Sequence, residues 1–274
     1  MTVCGPIKSA SAFRFSAEYG AWWTFEICLW SGLLKAFEKG SGFGAALCLA
    51  AGMHALFFAS EWFTGLGRGD VRAALNHRPA WLFVSAGAAL LAGGVVAAPG
   101  LVRGEIAWTL VLWGLFAGVV LWMRTFLPSR DLRVLVSSAV LLTGPTLVLG
   151  IIAFDGAVLK DLGFWSLWAW FFPWSIFYIQ TWLGGNTLPR WRIGAASLPY
   201  FMEASVVACF SAWPGSLCLL LLSARVVQRL RRRLREFDHG NALPRLASTP
   251  DDVRLLGYEQ LAWSLVLAGI WISG

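Results

Sequence analysis

Nine predominantly apolar stretches follow one another along the chain, at 18–37, 43–64, 80–98, 106–126, 132–154, 163–184, 195–211, 215–227 and 255–273. A bilayer core takes about 20 apolar residues per helix, with a range of about 17 to 25. Because hydrocarbon offers the backbone no hydrogen-bond partner, apolar stretches of this length are read as helices. The eighth is the shortest, and the Arg residues that follow can extend it by carrying their charged heads to the interface on apolar stems. Only 14% of residues are charged, against about 25% in a soluble domain, and the mean hydropathy is +0.65. Lipid is therefore the expected solvent for most of the surface. The expected fold is all-α: a polytopic transmembrane helical bundle of about nine spans, forming one domain over 1–274.

The basic residues set the orientation. With the N-terminus cytoplasmic, eighteen of the 22 Lys and Arg residues fall in segments facing inward; only Lys35, Lys39, Arg103 and Lys160 fall outside. This is the asymmetry of the positive-inside rule, and with nine spans it puts the C-terminus outside. The loops are short, which leaves no room for a soluble domain. The longest, 228–254, opens with Gln228-Arg229-Leu230-Arg231-Arg232-Arg233-Leu234-Arg235. It is expected to continue the eighth helix and to break at Gly240, Pro244 and Pro250. The basic run reads either as a contact for anionic head groups or a diphosphate-like ligand, or as a stop signal on a short helix; the second is the preferred reading. The charge is explained by topology, so nucleic acid is not an expected partner.

The 17 Trp suit interfacial belts and intramembrane packing. Of Cys4, Cys28, Cys48, Cys209 and Cys218, four lie in apolar segments and none forms a CxxC pair, so neither a disulfide frame nor a zinc site is expected. The first seventeen residues do not read as a cleavable signal. Pro145 and Pro173 lie within spans and should kink them. No fixed-period or inverted repeat is visible, which argues against the common secondary-transporter architectures.

The polar residues inside these spans are the candidates for function. Glu18, Trp22 and Glu26 recur at i, i+4 and i+8, on one face of the first helix. Glu26, His54 and Glu203 fall near mid-membrane. Glu18, Tyr19, Glu61, Gln180 and Glu259 lie toward the cytoplasmic side, and Tyr200 shares a face with Glu203. Charged groups in hydrocarbon are costly and face a protein interior or a wet cavity. These residues are read as converging on one polar cavity. Two uses apply: a site for a polar head group, a proton or a cation, or buried pairs that fix helix register. The rarity of intramembrane carboxylates favours the first for Glu26 and Glu203, while His54 fits either. One mid-membrane His does not supply both axial ligands of a b-type haem, and His77 and His239 lie at the wrong depth. GxSxG, Walker A, HExxH and CxxC motifs are absent. Gly65-Leu66-Gly67-Arg68-Gly69 is expected to be a loop between spans, without the strand–loop–helix context of a phosphate cradle.

Glu18-Tyr19-Gly20-Ala21-Trp22 resembles the Glu-His-Gly-Ala-Trp signature that opens the bacterial YwiC-like membrane proteins. Phe177-Tyr178-Ile179-Gln180-Thr181 resembles that family's Tyr-Val-Arg segment, and Arg254-Leu255-Leu256-Gly257-Tyr258-Glu259 its closing Gly-x-x-Glu. Tyr19 stands in place of the signature His, and Gln180 in place of Arg. The nine-span topology is also similar to that of UbiA-type prenyltransferases, which hold magnesium and a prenyl diphosphate with Asp-rich loops. Here 61–70 has acids only at Glu61 and Asp70, and 185–190 has none, so the standard diphosphate chemistry is expected to be lost. The resemblance implies a multi-pass protein of the bacterial inner membrane and carries over no established activity; membrane lipids, and in one reading other membrane-protein subunits, are the expected partners. It implies no particular cofactor. The leading reading is a binder of a lipid or quinone-like ligand, or a subunit of a membrane complex. The alternatives are a diverged prenyltransferase and a small proton- or cation-coupled transporter.

Overall fold

The computed structural model describes residues 19–40, 42–67, 78–127, 132–183, 198, 213–238 and 250–273. Among them the secondary structure is entirely helical: α1 (Tyr19–Lys39), α2 (Phe43–Gly67), α3 (Arg78–Ala97), α4 (Gly100–Phe126), α5 (Leu132–Leu142), α6 (Gly144–Ala153), α7 (Val158–Leu183), α8 (Trp213–Asp238) and α9 (Pro250–Ser273). The stretch expected as a seventh span, 195–211, lies outside the described residues except for 198, as do Cys4, Cys209, His77 and His239.

Among the described residues, four segments are long and apolar enough to cross a bilayer: Phe43–Ser60, Arg78–Ala97, Gly100–Arg124 and Arg133–Ala153. The other described helices are interrupted by polar groups. Helix α1 carries Glu26, Lys35 and Glu38, α7 has five Trp along its length, α8 passes into its Arg run, and α9 begins with Asp251, Asp252 and Arg254.

Helix α1 is the axis of the packing. Thr24, Phe25, Glu26, Ile27, Cys28 and Leu29 are all buried, so the helix is covered on nearly every side. Phe25, Leu29 and Leu33 join one core with Leu49, Met53, Phe57, Ile106, Leu149 and Ile152. Ile27 and Cys28 join another with Trp168, Phe171, Tyr178, Leu219, Leu222 and Leu267. A helix whose apolar residues are covered on several sides sits inside the bundle over that stretch. The α1–α6 approach is close: a Cβ on Gly32 would sit 2.8 Å from the Leu149 Cβ.

The α2–α3 pair packs through small residues in the same way. A Cβ on Gly52 would lie 2.9 Å from the Gly87 carbonyl oxygen, and one on Gly87 would lie 3.0 Å from the Gly52 oxygen. The two backbones therefore touch, an arrangement small residues allow between helices in lipid. Large apolar side chains on α3 and α4 point away from the protein instead, among them Leu82, Val96, Leu101, Trp108, Leu115, Trp122 and Phe126.

Helix ends follow the local chemistry. Helix α1 stops where Gly40 takes a φ of 74° and its N–H reaches the Ala36 carbonyl at 3.2 Å, an αL cap. Helix α6 ends in a Schellman motif. Asp155 takes a φ of 51°, and the Gly156 N–H donates to the Ile151 carbonyl at 3.0 Å.

Several boundaries differ from the expectation. The apolar stretch 132–154 is two helices, not one kinked helix, joined at Thr143. Pro145 has no N–H for the Leu141 carbonyl and cannot continue α5. The indole of Trp113 on α4 donates to that carbonyl at 3.0 Å. Thr143 closes the turn by donating to the Val140 carbonyl at 2.7 Å, and its hydroxyl accepts from Trp165 at 3.0 Å. Helix α7, by contrast, runs through Pro173. The glycines at 65 and 67, expected in a loop, continue α2 to Gly67. Helix α8 does carry the Arg run, ending at Asp238, just before Gly240.

Candidate functional site

Glu26 sits two turns into α1, at the point where that helix is fully enclosed. Its carboxylate faces α2. The Oε1 atom lies 3.4 Å from Nδ1 of His54, with the Glu26 side chain 10% and the His54 side chain 34% exposed. The Oε2 atom accepts a hydrogen bond from the Trp30 indole, one turn along the same helix, at 3.0 Å. Oε1 is buried and accepts no hydrogen bond among the described residues. The two oxygens of one carboxylate are thus differently placed: one is tied to an indole, the other is turned to an imidazole that approaches without completing a hydrogen bond. A buried carboxylate oxygen without a full hydrogen bond costs about 1–3 kcal/mol or more.

An aromatic wall holds the imidazole. His54 packs edge-on to Phe25, with ring centroids 5.8 Å apart, and against Phe58 at 4.7 Å. Phe25 in turn stacks on Phe57 at 4.4 Å and 7°. Beside these rings the Glu26 side chain is nearly covered, while part of the imidazole stays open. The pair can accept a hydrogen bond from a hydroxyl at Glu26, donate or accept one at His54, and place a flat ring against phenyl faces.

A second polar group lies where α7, α8 and α9 meet. Glu259 forms ion pairs with Arg229 and, at 3.4 Å through Nε, with Arg225. Arg229 also hydrogen-bonds the buried Tyr178 hydroxyl. On the next residue of α9, Gln260 meets the Ser175 hydroxyl of α7 at 2.8 Å. A single carboxylate, its side chain 17% exposed, is thereby shared by two guanidinium groups, which leaves the cluster with a net positive charge.

Of the residues singled out from sequence, Glu26 and His54 meet directly. Trp22 lies half-buried a turn before Glu26, its ring edge-on to Trp23 at 4.7 Å. Glu259 pairs with Arg225 and Arg229 instead. Tyr19 begins α1, Glu61 lies in α2 and Gln180 in α7, but their side chains lie outside the described residues, and so do Glu18, Tyr200 and Glu203 altogether.

Trp30 and Arg225 are functional candidates that the sequence did not single out; Arg229 stood only in the basic run, with a head-group contact as the less favoured reading, and Tyr178 only in the segment that resembles Tyr-Val-Arg. Trp30 had a signal, since it follows Glu26 at i+4. The two Arg were absorbed into the topology argument, and nothing in the sequence pairs them with Glu259 across 34 or 30 positions.

Comparison with family models, curated proteins and solved structures finds no match for this chain.

Proposed function

We propose that this chain is a multi-pass protein of a bacterial inner membrane, YwiC-like in type, with about nine spans and a cytoplasmic N-terminus. In this reading it binds a lipid or quinone-like molecule through Glu26 and His54. One observation carries the proposal: a buried carboxylate oxygen at Glu26 is turned toward the partly open His54 ring and has no hydrogen bond of its own. A ligand hydroxyl would complete it by donating to Oε1. A ligand carbonyl would accept from a protonated nitrogen of His54. Phe25, Phe57 and Phe58 would flank the ring of such a head group. The apolar faces of α3 and α4 support a lipid surround, because side chains as large as Trp108 and Trp122 face outward there.

The test is native mass spectrometry of the full chain in mild detergent, with extraction and identification of whatever is retained. A quinone or lipid held at unit stoichiometry by the wild type, and lost in both Glu26→Gln and His54→Ala, is the expected result. Equal retention by the wild type and both variants would remove the site assignment.

A second reading, a subunit of a membrane complex, draws on the same outward α4 face. It predicts a protein partner that survives purification and is displaced by charged substitutions at Trp108 or Leu115.

A further inference from the structure

Along α8, Leu217, Leu221 and Arg225 are spaced i, i+4 and i+8, so they form one stripe. Each is open to the surroundings: Leu217 is 60% exposed, Leu221 54%, and the Arg225 side chain 50%. The stripe thus changes from apolar to cationic within two turns. Arg225 engages Glu259 only through Nε, and neither of its Nη groups has a partner among the described residues. The shared carboxylate meets the guanidinium at Nε, and half of the Arg225 side chain stays exposed. Arg229, held inward by Glu259 and Tyr178, adds a second positive charge behind it.

We propose that the Arg225–Glu259–Arg229 cluster is a binding site for the phosphate of an anionic phospholipid, whose acyl chains lie along Leu217 and Leu221. The chemistry fits on three counts. A planar guanidinium with free Nη donors matches a phosphate oxygen pair. Two Arg against one Glu leave the charge that an anionic head group neutralises. The apolar half of the stripe lies where acyl chains begin when the phosphate is at Arg225. Tyr258, next to Glu259 on α9, is 66% exposed and borders the same region. The site depends on the chain residing in a membrane, but not on what Glu26 and His54 bind.

The experiment is native mass spectrometry of the full chain in detergent with equimolar phosphatidylglycerol and phosphatidylcholine. The wild type should favour phosphatidylglycerol, and Arg225→Gln should cut that preference about fivefold. Arg225→Lys keeps the charge without the fork and should fall between them. Arg231→Gln, an exposed change on the same helix outside the cluster, should leave the preference intact. An unchanged preference in Arg225→Gln overturns the site. So does an equal loss in Arg231→Gln, which would mean diffuse charge, or displacement of the lipid by millimolar inorganic phosphate. If Arg225→Gln does not give a monodisperse helical protein, Arg225→Lys decides alone: a wild-type preference there overturns the site.

Discussion

The indole N–H of Trp113 occupies the place of the amide hydrogen that Pro145 lacks, donating to the Leu141 carbonyl at 3.0 Å. A side chain from one helix thereby satisfies a backbone group stranded by proline in another. Breaks in membrane helices are tolerated where neighbours satisfy the freed backbone in this way.

Removing that donor should be costly. Trp113→Phe leaves the Leu141 carbonyl unpaired and should lower stability by about 1–3 kcal/mol. Gly144→Ala acts on the same contact, because its methyl would run into the Trp113 indole, and overpacking of this kind costs about 1–3 kcal/mol. Thermal unfolding in detergent, compared with a distant Trp122→Phe control, measures both; an unchanged midpoint in Trp113→Phe would show that the bond is dispensable.

The α2–α3 contact gives a paired test. Gly87→Ala drives a methyl against the Gly52 carbonyl oxygen and Leu56 and should destabilise by about 1–3 kcal/mol. Gly93→Ala, on the same helix with open space around it, should be neutral or stabilising by up to about 1 kcal/mol through helix propensity. Equal effects at the two positions would mean that the helices do not touch there.

At Glu26, the contribution of Trp30 should depend on the carboxylate. Trp30→Phe strips Oε2 of its donor and should cost about 1–3 kcal/mol. In a Glu26→Gln background, without the carboxylate charge, the same change should cost clearly less. A double-mutant cycle measures the difference, and strict additivity would show that the indole does not act through Glu26.

Lys35 and Glu38 predict a pH effect near the end of α1. The Lys35 ammonium hydrogen-bonds Glu38 at 2.9 Å and holds its carboxyl below the ordinary value of 4.5. A depressed carboxyl contributes stability above its unfolded value and loses it as pH falls through the folded one. The wild type should therefore exceed Glu38→Gln slightly at pH 6, and the gap should close as the pH falls through the lowered carboxyl range. Melting curves across this range check the sign; a gap that widens in acid contradicts it. Lys35 also donates to the Ile272 carbonyl in the last turn of α9 at 3.4 Å. Lys35→Met should thus speed amide exchange at the end of that helix.

The helices were largely legible in the sequence because length and apolarity are properties of one segment at a time. The division of 132–154 was not. Pro145 announces a disturbance, but whether it kinks or splits the helix depends on Trp113 and Trp165, which belong to other segments. The site was legible in depth and not in direction. Glu26 and His54 can both be placed near the middle of their segments, yet α2 is apolar almost all round and does not encode which way His54 turns. Glu259 shows the opposite case. It was expected to join the same polar cavity, while its partners came from an Arg run whose charge had a simpler explanation in topology.

Helix α4 has a consequence for how the molecule responds to its surroundings. Its 27 residues make a rod of about 40 Å, whereas a bilayer core is about 30 Å thick. Seated in a membrane, such a rod leans, and it leans further as the bilayer thins. Because the Trp113 indole caps the Leu141 carbonyl, a change in that lean would bear on the break at Thr143 through one indole.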